Sequence, residues 1–423
     1  MNLYDELEAR GFIEKATSDE IPKLLEREKI SCYIGFDPTA PSFHVGNLIP
    51  IMGLAHFQRA GHRPIAVMGG ATGMIGDPAG KSKERNLLDP ETLERNLASL
   101  RKQFERFLDF GEGKALLIDN TDWLGAFGFI EFLRDVGKHF RLGEMLAKES
   151  VKSRLAGEAG ISYTEFSYML LQAYDFLHLH DAHGCVLEAG GSDQWGNITA
   201  GIDLIRKLRG KQAYGIVFPL LLDTSGQKLG KTSEGERIWL DPELTSPYRF
   251  YQHWINTSDR DVIRFLKIFT FVPLSEIAGI EREMESAPER RAAQKRLAEE
   301  VTRVVHGEEA LRSAVHASLI FFGGAITGVD ERTLADVFSD VPSAVLPRAR
   351  LAGGLGIVDL LVESGLSPGK GAARRLIDGG GVYLNNVRVD SAERTITPDD
   401  MVAGSTLVLR QGKKSYRLVR FEG

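Results

Sequence analysis

Cysteine is scarce in this chain, and long apolar runs are absent from its sequence. Only Cys32 and Cys185 occur among 423 residues. Two thiols are too few for a disulfide framework or a cysteine-rich zinc site, which favours a reducing compartment. No apolar run approaches the roughly 18 residues that a membrane span needs, and the N-terminal residues lack the basic and apolar regions of a signal peptide. We therefore expect a cytoplasmic protein that neither spans a membrane nor is secreted.

Strong charge of one sign is also lacking. The net charge is −6, with 26% charged and 43% hydrophobic residues. This composition is typical of a globular protein and excludes one that coats nucleic acid over its whole surface. The segment 355–423 differs, because its ten Lys and Arg exceed its eight Asp and Glu. Any contact with nucleic acid is therefore expected to be local.

Between residues 31 and 239 the sequence alternates short apolar segments with longer amphipathic ones. Ser31–Phe36 and 64–68 are predicted strands joined by a helix over 44–60, and a third strand is predicted over 186–189. Strands that alternate with helices predict a parallel sheet. Ligands of such sheets lie at the carboxyl ends of the strands, so we expect a site there.

The chain changes character after Pro247. Long helical periodicity follows this residue. Prolines and glycines between 342 and 356 interrupt the pattern, and two short helices with strands come after them. Ser367 is predicted to cap the second of these helices, and Asn385 and Asn386 to form a tight hairpin. The predicted domains are a Rossmann-like α/β catalytic domain (1–240), an all-α domain (247–335), a linker (336–354) and a small α+β domain (355–423).

The start of the first predicted helix favours phosphate binding. His44, Gly46 and Asn47 lie in its first turn, where backbone N–H groups and the helix dipole attract anions. Asp37 and Thr39 in the preceding turn add an acceptor for a ribose and a donor for a phosphate. Without that turn, this string would indicate an ordinary helix start.

Two basic loops extend the phosphate hypothesis. The first, over 75–82, resembles a P-loop, but isoleucine replaces its first glycine and excludes that motif. The main cations of the two loops are Lys81, Arg85, Lys228 and Lys231. Each loop is either a solvated surface loop or a mobile element that closes on a pyrophosphate, and the segment at His44 favours the second reading.

The helix predicted over 163–177 carries the most specific pattern. Ser162 and Glu165 form a capping box that fixes where the helix begins. Three polar side chains then fall at i, i+4 and i+7 on one face, and a tyrosine of the first strand is the natural fourth group. The predicted polar slot consists of Tyr33, Tyr168, Gln172 and Asp175. These groups suit a small amino acid or a hydrogen-bond network within the core.

Three histidines after this pattern resemble a metal cluster. His178, His180 and His183, with Asp181, are predicted to follow the end of the helix, without cysteine or carboxylate at ligand spacing. We therefore predict ordinary surface or packing residues and no bound zinc.

Basic residues near the C-terminus form a possible phosphate-facing patch or a solubilising strand edge. The candidates for RNA contact are Arg374, Arg375, Arg410, Lys413, Lys414 and Arg417. Their position on a small folded unit favours the patch.

The motifs resemble, in order along the whole chain, those of the bacterial-type tyrosyl-tRNA synthetases, a class I aminoacyl-tRNA synthetase family. The last segment resembles an S4-type RNA-binding domain. The segments that carry the resemblance are 33–40, 44–47, 69–77, 136–140, 166–176, 190–197 and 228–232. Asn47 departs from the usual second histidine of the HIGH signature, and Lys-Leu-Gly-Lys-Thr departs from KMSKS.

The resemblance implies a role for each candidate residue. Tyrosine would be bound by Tyr33, Asp77, Tyr168, Gln172, Asp175 and Gln194. ATP would be bound by Gly35, Asp37, His44, Gly46, Asn47, Gly191, Asp193 and Lys231. The catalytic groups would be Thr39, His44, Lys81, Arg85, Lys228, Lys231 and Thr232. Asn120 would help to position the loop that closes on the pyrophosphate.

The resemblance also implies the reaction and the partners. L-tyrosine and Mg-ATP would give tyrosyl-adenylate and pyrophosphate, and the tyrosyl group would pass to tRNA(Tyr). A homodimer is expected through apolar surface between Phe129 and Tyr163, Mg²⁺ is expected with ATP, and the helical domain would bind the anticodon arm. Two alternatives are a non-catalytic RNA-binding protein with a degenerate nucleotide fold and a tryptophanyl-tRNA synthetase.

Overall fold

The strands of the fold coincide with short apolar runs of the sequence, and most helices with amphipathic segments. A computed structural model describes residues 2–79, 88–157, 160–222, 224, 226, 229–230, 235–320, 323–339, 341–412 and 415–423. The strands are β1 Lys15–Ala16, β2 Ser31–Phe36, β3 Arg63–Met68, β4 Leu116–Asp119, β5 Cys185–Gly191, β6 Tyr214–Phe218, β7 Ser343–Pro347, β8 Leu355–Gly356, β9 Val382–Leu384, β10 Val387–Arg388, β11 Thr395–Ile396, β12 Thr406–Gln411 and β13 Ser415–Glu422.

The helices follow the same chain order. They are α1 Leu3–Arg10, α2 Ile21–Arg27, α3 Leu48–Arg59, α4 Pro90–Phe104, α5 Thr121–Leu124, α6 Phe129–Asp135, α7 Leu142–Leu146, α8 Glu149–Leu155, α9 Tyr163–His183, α10 Trp195–Arg209, α11 Pro247–Ile255, α12 Val262–Phe269, α13 Leu274–Ser286, α14 Ala292–Ile320, α15 Glu331–Val337, α16 Ala349–Ala352, α17 Ile357–Glu363 and α18 Lys370–Asp378. Among the helices of the described residues, none is long and apolar enough to cross a membrane.

Contacts divide the chain into two units. The first comprises Met1–Leu244 and Ile255–Val305, and the second comprises Thr245–Trp254 and His306–Gly423. Residues 247–335 therefore do not form a unit of their own, contrary to the prediction. The cause lies in α14, whose backbone leaves helical geometry at Gly307, so that its two halves belong to different cores.

The first unit is built on a six-stranded sheet in the order β1-β6-β5-β2-β3-β4. All neighbouring pairs are parallel except β1 with β6. Side chains of β2 and β3 pack with α9 and α10 in one core, which buries Tyr33, Phe176 and Leu204. Burial of this kind is what makes the strands of a parallel sheet almost continuously apolar.

Helix α9 starts as predicted, because the Ser162 hydroxyl accepts a hydrogen bond from the Glu165 N–H at 3.2 Å. It runs on to His183 and ends at Gly184, whose φ of 61° closes the helix in the left-handed conformation. The expectation that the three histidines follow the helix end is therefore wrong. They lie in its last two turns, where the carboxylate of Asp181 accepts hydrogen bonds from the Arg209 guanidinium.

The second unit contains a five-stranded sheet in the order β10-β9-β12-β13-β7 and a two-stranded sheet of β8 and β11. The predicted linker over 336–354 is wrong, because β7 pairs in parallel with β13. Pro342, just before β7, and Pro347, its last residue, suggested a loop, yet proline is tolerated at the ends of an edge strand. The first and second halves of the predicted linker also contribute residues to α15 and α16.

Local predictions in this unit had mixed outcomes. Asn385 and Asn386 have φ values of 50° and 64° and connect the antiparallel strands β9 and β10, as predicted. Ser367 does not cap α18, because Gly369 occupies the N-cap position and the Ser367 hydroxyl instead donates to the Gly369 carbonyl at 3.2 Å.

Gly53 in α3 tests the packing of this helix on the sheet. A Cβ at Gly53 would lie 2.5 Å from Cε2 of the buried Phe218, so we expect Gly53→Ala to lower the free energy of unfolding by about 1–3 kcal/mol. A Cβ at Gly279 in α13 would meet nothing closer than the Arg282 guanidinium at 3.9 Å, and Gly279→Ala should raise the free energy of unfolding by up to about 1 kcal/mol. Urea denaturation measures both, and a stabilised Gly53→Ala protein would contradict the packing.

Candidate active site

A cavity of about 340 Å³ opens at the carboxyl ends of β2, β3 and β5 in the first unit. This is the edge at which the sequence predicted ligand binding. The predicted residues that line it are Tyr33, Gly35, Asp37, Thr39, His44, Asn47, Asp77, Tyr168, Gln172, Asp175, Gly191, Asp193 and Gln194. Asn120 lines it as well. Residues that are remote in sequence therefore line the same cavity.

Several predicted residues lie outside the described part of the chain. They are Lys81, Arg85, Lys228, Lys231 and Thr232 at the proposed phosphate end, and Lys413 and Lys414 near the C-terminus. The contribution of these residues to the site stays a prediction.

The segment at His44 is held by two reciprocal hydrogen bonds. The imidazole Nδ1 accepts from the Gly46 N–H at 3.0 Å, and the Asn47 side-chain oxygen accepts from the His44 N–H at 3.0 Å. An imidazole that accepts at Nδ1 carries its proton on Nε2 when neutral. The segment thus brings an imidazole N–H of His44 and an amide NH₂ of Asn47 into the lining of the cavity.

Leu229 and Gly230, which are described residues of the second basic loop, lie against the segment at His44. A Cβ at Gly230 would lie 3.0 Å from the Gly46 nitrogen, and one at Gly46 would lie 3.4 Å from the Leu229 carbonyl oxygen. The Ile238 N–H donates to the Gly230 carbonyl at 3.0 Å, and the Val45 N–H donates to the Ile238 carbonyl at 3.0 Å. Gly230 has a φ of 94°, a conformation that other residues rarely adopt.

Asp175 is fixed at one end of the cavity by two donors. Its Oδ2 accepts from the Asn120 amide at 3.0 Å, and its Oδ1 accepts from the Trp123 indole N–H at 2.7 Å. The indole in turn stacks on His178 with ring centroids 4.4 Å apart. Burial raises the pKa of Asp175 well above its usual value, although both hydrogen bonds oppose this shift.

Asp37 and Tyr168 form a direct hydrogen bond. The Tyr168 hydroxyl donates to Oδ2 of Asp37 at 2.9 Å, and the Thr72 hydroxyl donates to Oδ1 at 2.8 Å. Thr72 also accepts from Asn120 at 3.0 Å, which connects Asp37 with Asp175. The groups predicted for the ribose and for the amino acid therefore share one network.

A chain of three amides joins two buried carboxyl groups. Asn197 donates to the side-chain oxygens of Gln172 and Gln194 at 2.9 and 3.1 Å. Gln172 donates to Glu188 at 2.9 Å, and Gln194 donates to Asp77 at 2.7 Å. The carboxyl groups at the two ends orient every amide between them.

Burial shapes the electrostatics of these carboxyl groups. It raises the pKa of Asp77 to about 6 and that of Glu188 to about 7. Buried carboxyl groups with raised pKa values mark a functional site that a ligand can complete. An ammonium group and a hydroxyl are the ligands that suit such acceptors best.

Sequence reasoning missed five residues of the site. Glu188 had a signal, since a glutamate inside an apolar strand is rare unless it is paired. Thr72 and Asn197 lie within the segments 69–77 and 190–197 that carry the resemblance, yet no pattern singled them out. Trp123 and Arg237 had no signal, because only the fold brings them near the cavity.

Two of the basic candidates in the described part of the second unit, Arg410 and Arg417, lie on opposite faces of the sheet. Arg410 and Tyr416 are directly opposite in the pairing of β12 with β13, so they share a face, whereas Arg417 points to the other face. The Arg410 guanidinium lies 3.7 Å from the centre of the Tyr383 ring, and Arg417 donates to the Gly365 carbonyl at 3.4 Å. The predicted grouping of Arg410 with Arg417 is therefore wrong.

The bridging hydroxyl of Thr72 provides a test of the network. Thr72→Val keeps the shape but leaves Asn120 and Asp37 each short of one buried hydrogen bond, so the free energy of unfolding should fall by about 1–3 kcal/mol. Thr92→Val removes an exposed hydroxyl of α4 and should change it by less than about 0.5 kcal/mol. Urea denaturation compares the two variants, and equal losses would remove the proposed role of Thr72.

Comparison with known families places the site in a chemical context. A family model described as tRNA synthetases class I (W and Y) matches residues 25–323. A second, described as Tyrosine–tRNA ligase SYY-like C-terminal domain, matches residues 333–419. The second match begins before β7, which agrees with the pairing of this strand in the C-terminal sheet.

Curated relatives are similar over almost their full length. The chain is 51% identical over 421 residues to the tyrosine–tRNA ligase of Roseiflexus castenholzii, covering 99% of both chains. It is 52% identical over 425 residues to that of Bacillus caldotenax, covering 100% of both.

Solved structures agree with the fold. A C-terminally truncated mitochondrial tyrosyl-tRNA synthetase of Aspergillus nidulans superposes with a TM-score of 0.67 at 32% identity, over 74% of this chain and 92% of that one. The family, the fold class and the enzyme class predicted from the motifs are thereby confirmed. The chain belongs to the tyrosine–tRNA ligase family of class I aminoacyl-tRNA synthetases.

Proposed function

We propose that this chain activates L-tyrosine with Mg-ATP to tyrosyl-adenylate and then transfers the tyrosyl group to the 3′ end of tRNA(Tyr). The observation that carries the proposal is that the predicted polar slot and the His44 segment line the same cavity. The family membership of the chain supports it.

The amino-acid end of the cavity suits tyrosine. Tyr33 and Asp175 would meet the phenol, and Asp77, Tyr168 and Gln172 would hold the ammonium group. Asp77 and Tyr168 are buried, so hydrogen bonds to the ligand form without competing water. Gln194, joined to Asp77, would orient that carboxylate.

The nucleotide end suits a triphosphate. His44, Asn47 and Thr39 would donate to phosphate oxygens, and Asp37, Gly35, Gly46, Gly191 and Asp193 would surround the ribose and base. Lys81, Arg85, Lys228, Lys231 and Thr232 would close on the pyrophosphate. Magnesium would enter with ATP as part of the substrate, held mainly by phosphate oxygens and water.

The first step needs no general base. The tyrosine carboxylate attacks the α-phosphorus in line, and pyrophosphate leaves. Positioning of the two substrates and stabilisation of charge on the phosphates account for the acceleration. A ribose hydroxyl of the tRNA then takes the tyrosyl group and releases AMP.

Two surfaces fit the proposed partners. Large apolar side chains are exposed between Phe129 and Tyr163, with Ile130 74% and Leu142 65% exposed, which supports a homodimer through this face. Arg374 and Arg375 are exposed on α18, which supports contact of the S4-like segment with tRNA. The helices over 247–335 would bind the anticodon arm, and the reaction would take place in the cytoplasm.

Discrimination between tyrosine and phenylalanine tests the proposal. Tyr33→Phe and Asp175→Ala each remove one partner of the phenol, so the tyrosine-to-phenylalanine ratio of pyrophosphate-exchange efficiencies should fall roughly 10- to 100-fold. Tyr4→Phe, on α1 and outside the cavity lining, is the control and should leave the ratio unchanged. Exchange that depends on tryptophan instead of tyrosine, or on no amino acid, would contradict the proposed function.

A further inference from the structure

One buried carboxyl group beside the cavity has no part in the reaction described above. Glu188 lies on β5, and only 1% of it is exposed. Its Oε1 accepts from Gln172, as described, but its Oε2 has no hydrogen bond of acceptable geometry among the described residues. A buried carboxyl oxygen in this state is unfavourable unless it carries or receives a proton.

The Tyr33 hydroxyl is the neighbouring group that also lacks a hydrogen-bond partner within the described residues. Tyr33 is 1% exposed, lines the cavity, and its hydroxyl also has no hydrogen bond of acceptable geometry in the described part of the chain. Burial, and then the charges of Glu188 and Asp175, raise the pKa of Tyr33 well above its usual value. The two groups therefore interact electrostatically although they are not aligned as a full hydrogen bond.

The number of protons decides how a bound phenol can be held. Both oxygens of Asp175 accept hydrogen bonds, which favour its ionised form, and an ionised Asp175 meets the phenol as an acceptor. An ionised Glu188 is also an acceptor only and draws the single proton of Tyr33. The phenol, which has one proton, cannot then donate to both Tyr33 and Asp175. A protonated Glu188 removes the conflict.

We propose that Glu188 is a positioning residue that acts in its protonated form. It donates to the Tyr33 oxygen, Tyr33 donates to the phenol oxygen of the substrate, and the phenol donates to Asp175. The inference rests on the proposed tyrosine site. Only protons and hydrogen bonds are rearranged, and no other covalent bond forms or breaks.

The surroundings of Glu188 place its titration near neutrality. It faces Tyr33 from β2, Gln172 and Asp175 from α9, and Cys185 from its own strand. On the α10 side, a Cβ at Gly201 would lie 3.4 Å from Oε2. Burial raises the pKa of Glu188 to about 7, and the interactions with Gln172 and Tyr33 oppose the rise. Ionisation above this pH removes the proton that directs the chain of hydrogen bonds.

The pH profile of amino-acid discrimination tests the inference. In the unmodified protein, the tyrosine-to-phenylalanine ratio of exchange efficiencies should fall roughly tenfold between about pH 6 and about pH 8.5. Phenylalanine carries the same ammonium group as tyrosine. Ionisation of Asp77 therefore changes both exchange efficiencies alike and leaves their ratio unchanged. Glu188→Gln accepts from Gln172 and donates to Tyr33 at every pH, so its ratio should stay high and flat. For Tyr33→Phe, the ratio should be low and should not change with pH.

Other outcomes are equally decisive. A Glu188→Gln protein that titrates like the unmodified one, or whose ratio is low at every pH, overturns the proposal. If this variant does not fold, the binding enthalpy of the unmodified protein is measured by calorimetry at about pH 7.5 in two buffers of different ionisation enthalpy. The protein should take up more protons when it binds tyrosine than when it binds phenylalanine, and equal uptake overturns the proposal. Absence of tyrosine-dependent exchange at any pH would instead contradict the proposed function.

Discussion

The approach of two backbone segments at Gly46 and Gly230 is the constraint on which the nucleotide end of the site depends. A side chain at Gly46 would lie 2.7 Å from Cε1 of the His44 imidazole, and Gly230 needs a φ of 94° to face it. Hydrogen bonds through Ile238 secure the contact. Because glycine alone meets both demands, the two positions let the backbone at Leu229 and Gly230 lie directly against the segment at His44, where we propose that phosphate binds.

The amino-acid end depends on buried polar groups that hold one another. Hydroxyl and amide groups join Asp37 to Asp175 in one network and Asp77 to Glu188 in another, and each carboxyl group accepts at least one of these hydrogen bonds. Such a network is rigid before the ligand arrives, which lowers the conformational entropy lost on binding. Burial, which the hydrogen bonds only partly offset, raises the pKa of Asp77, Asp175 and Glu188, and an ammonium group would relieve part of this unfavourable desolvation.

Much of the fold was predictable from local pattern. The bounds of β2 agree with the apolar run that predicted them, and the two asparagines after β9 form the expected hairpin. The polar face of α9 followed from helical spacing alone, because that spacing does not depend on tertiary contacts. Motif resemblance supplied the order of the segments, and the cavity lining agrees with most of the residues assigned to it.

The predictions that failed depended on partners remote in sequence. β7 is a strand because β13 lies beside it, and no local signal outweighed Pro342 before the strand and Pro347 at its end. Arg410 and Arg417 face opposite sides because the strand register decides their direction. Thr72 and Asn197 entered the site through hydrogen bonds that only the folded chain reveals.

The rate of adenylate formation in a double-mutant cycle tests most directly whether the two segments act on one triphosphate. His44→Asn retains a side chain that can cap the helix but removes the Nε2 donor, and Lys231→Ala removes one cation of the basic loop. If both groups contact the same triphosphate, the losses in single-turnover rate will not add, and the coupling will be about 0.5 kcal/mol or more. Strictly additive losses would contradict the account, because they would mean that the two groups act independently.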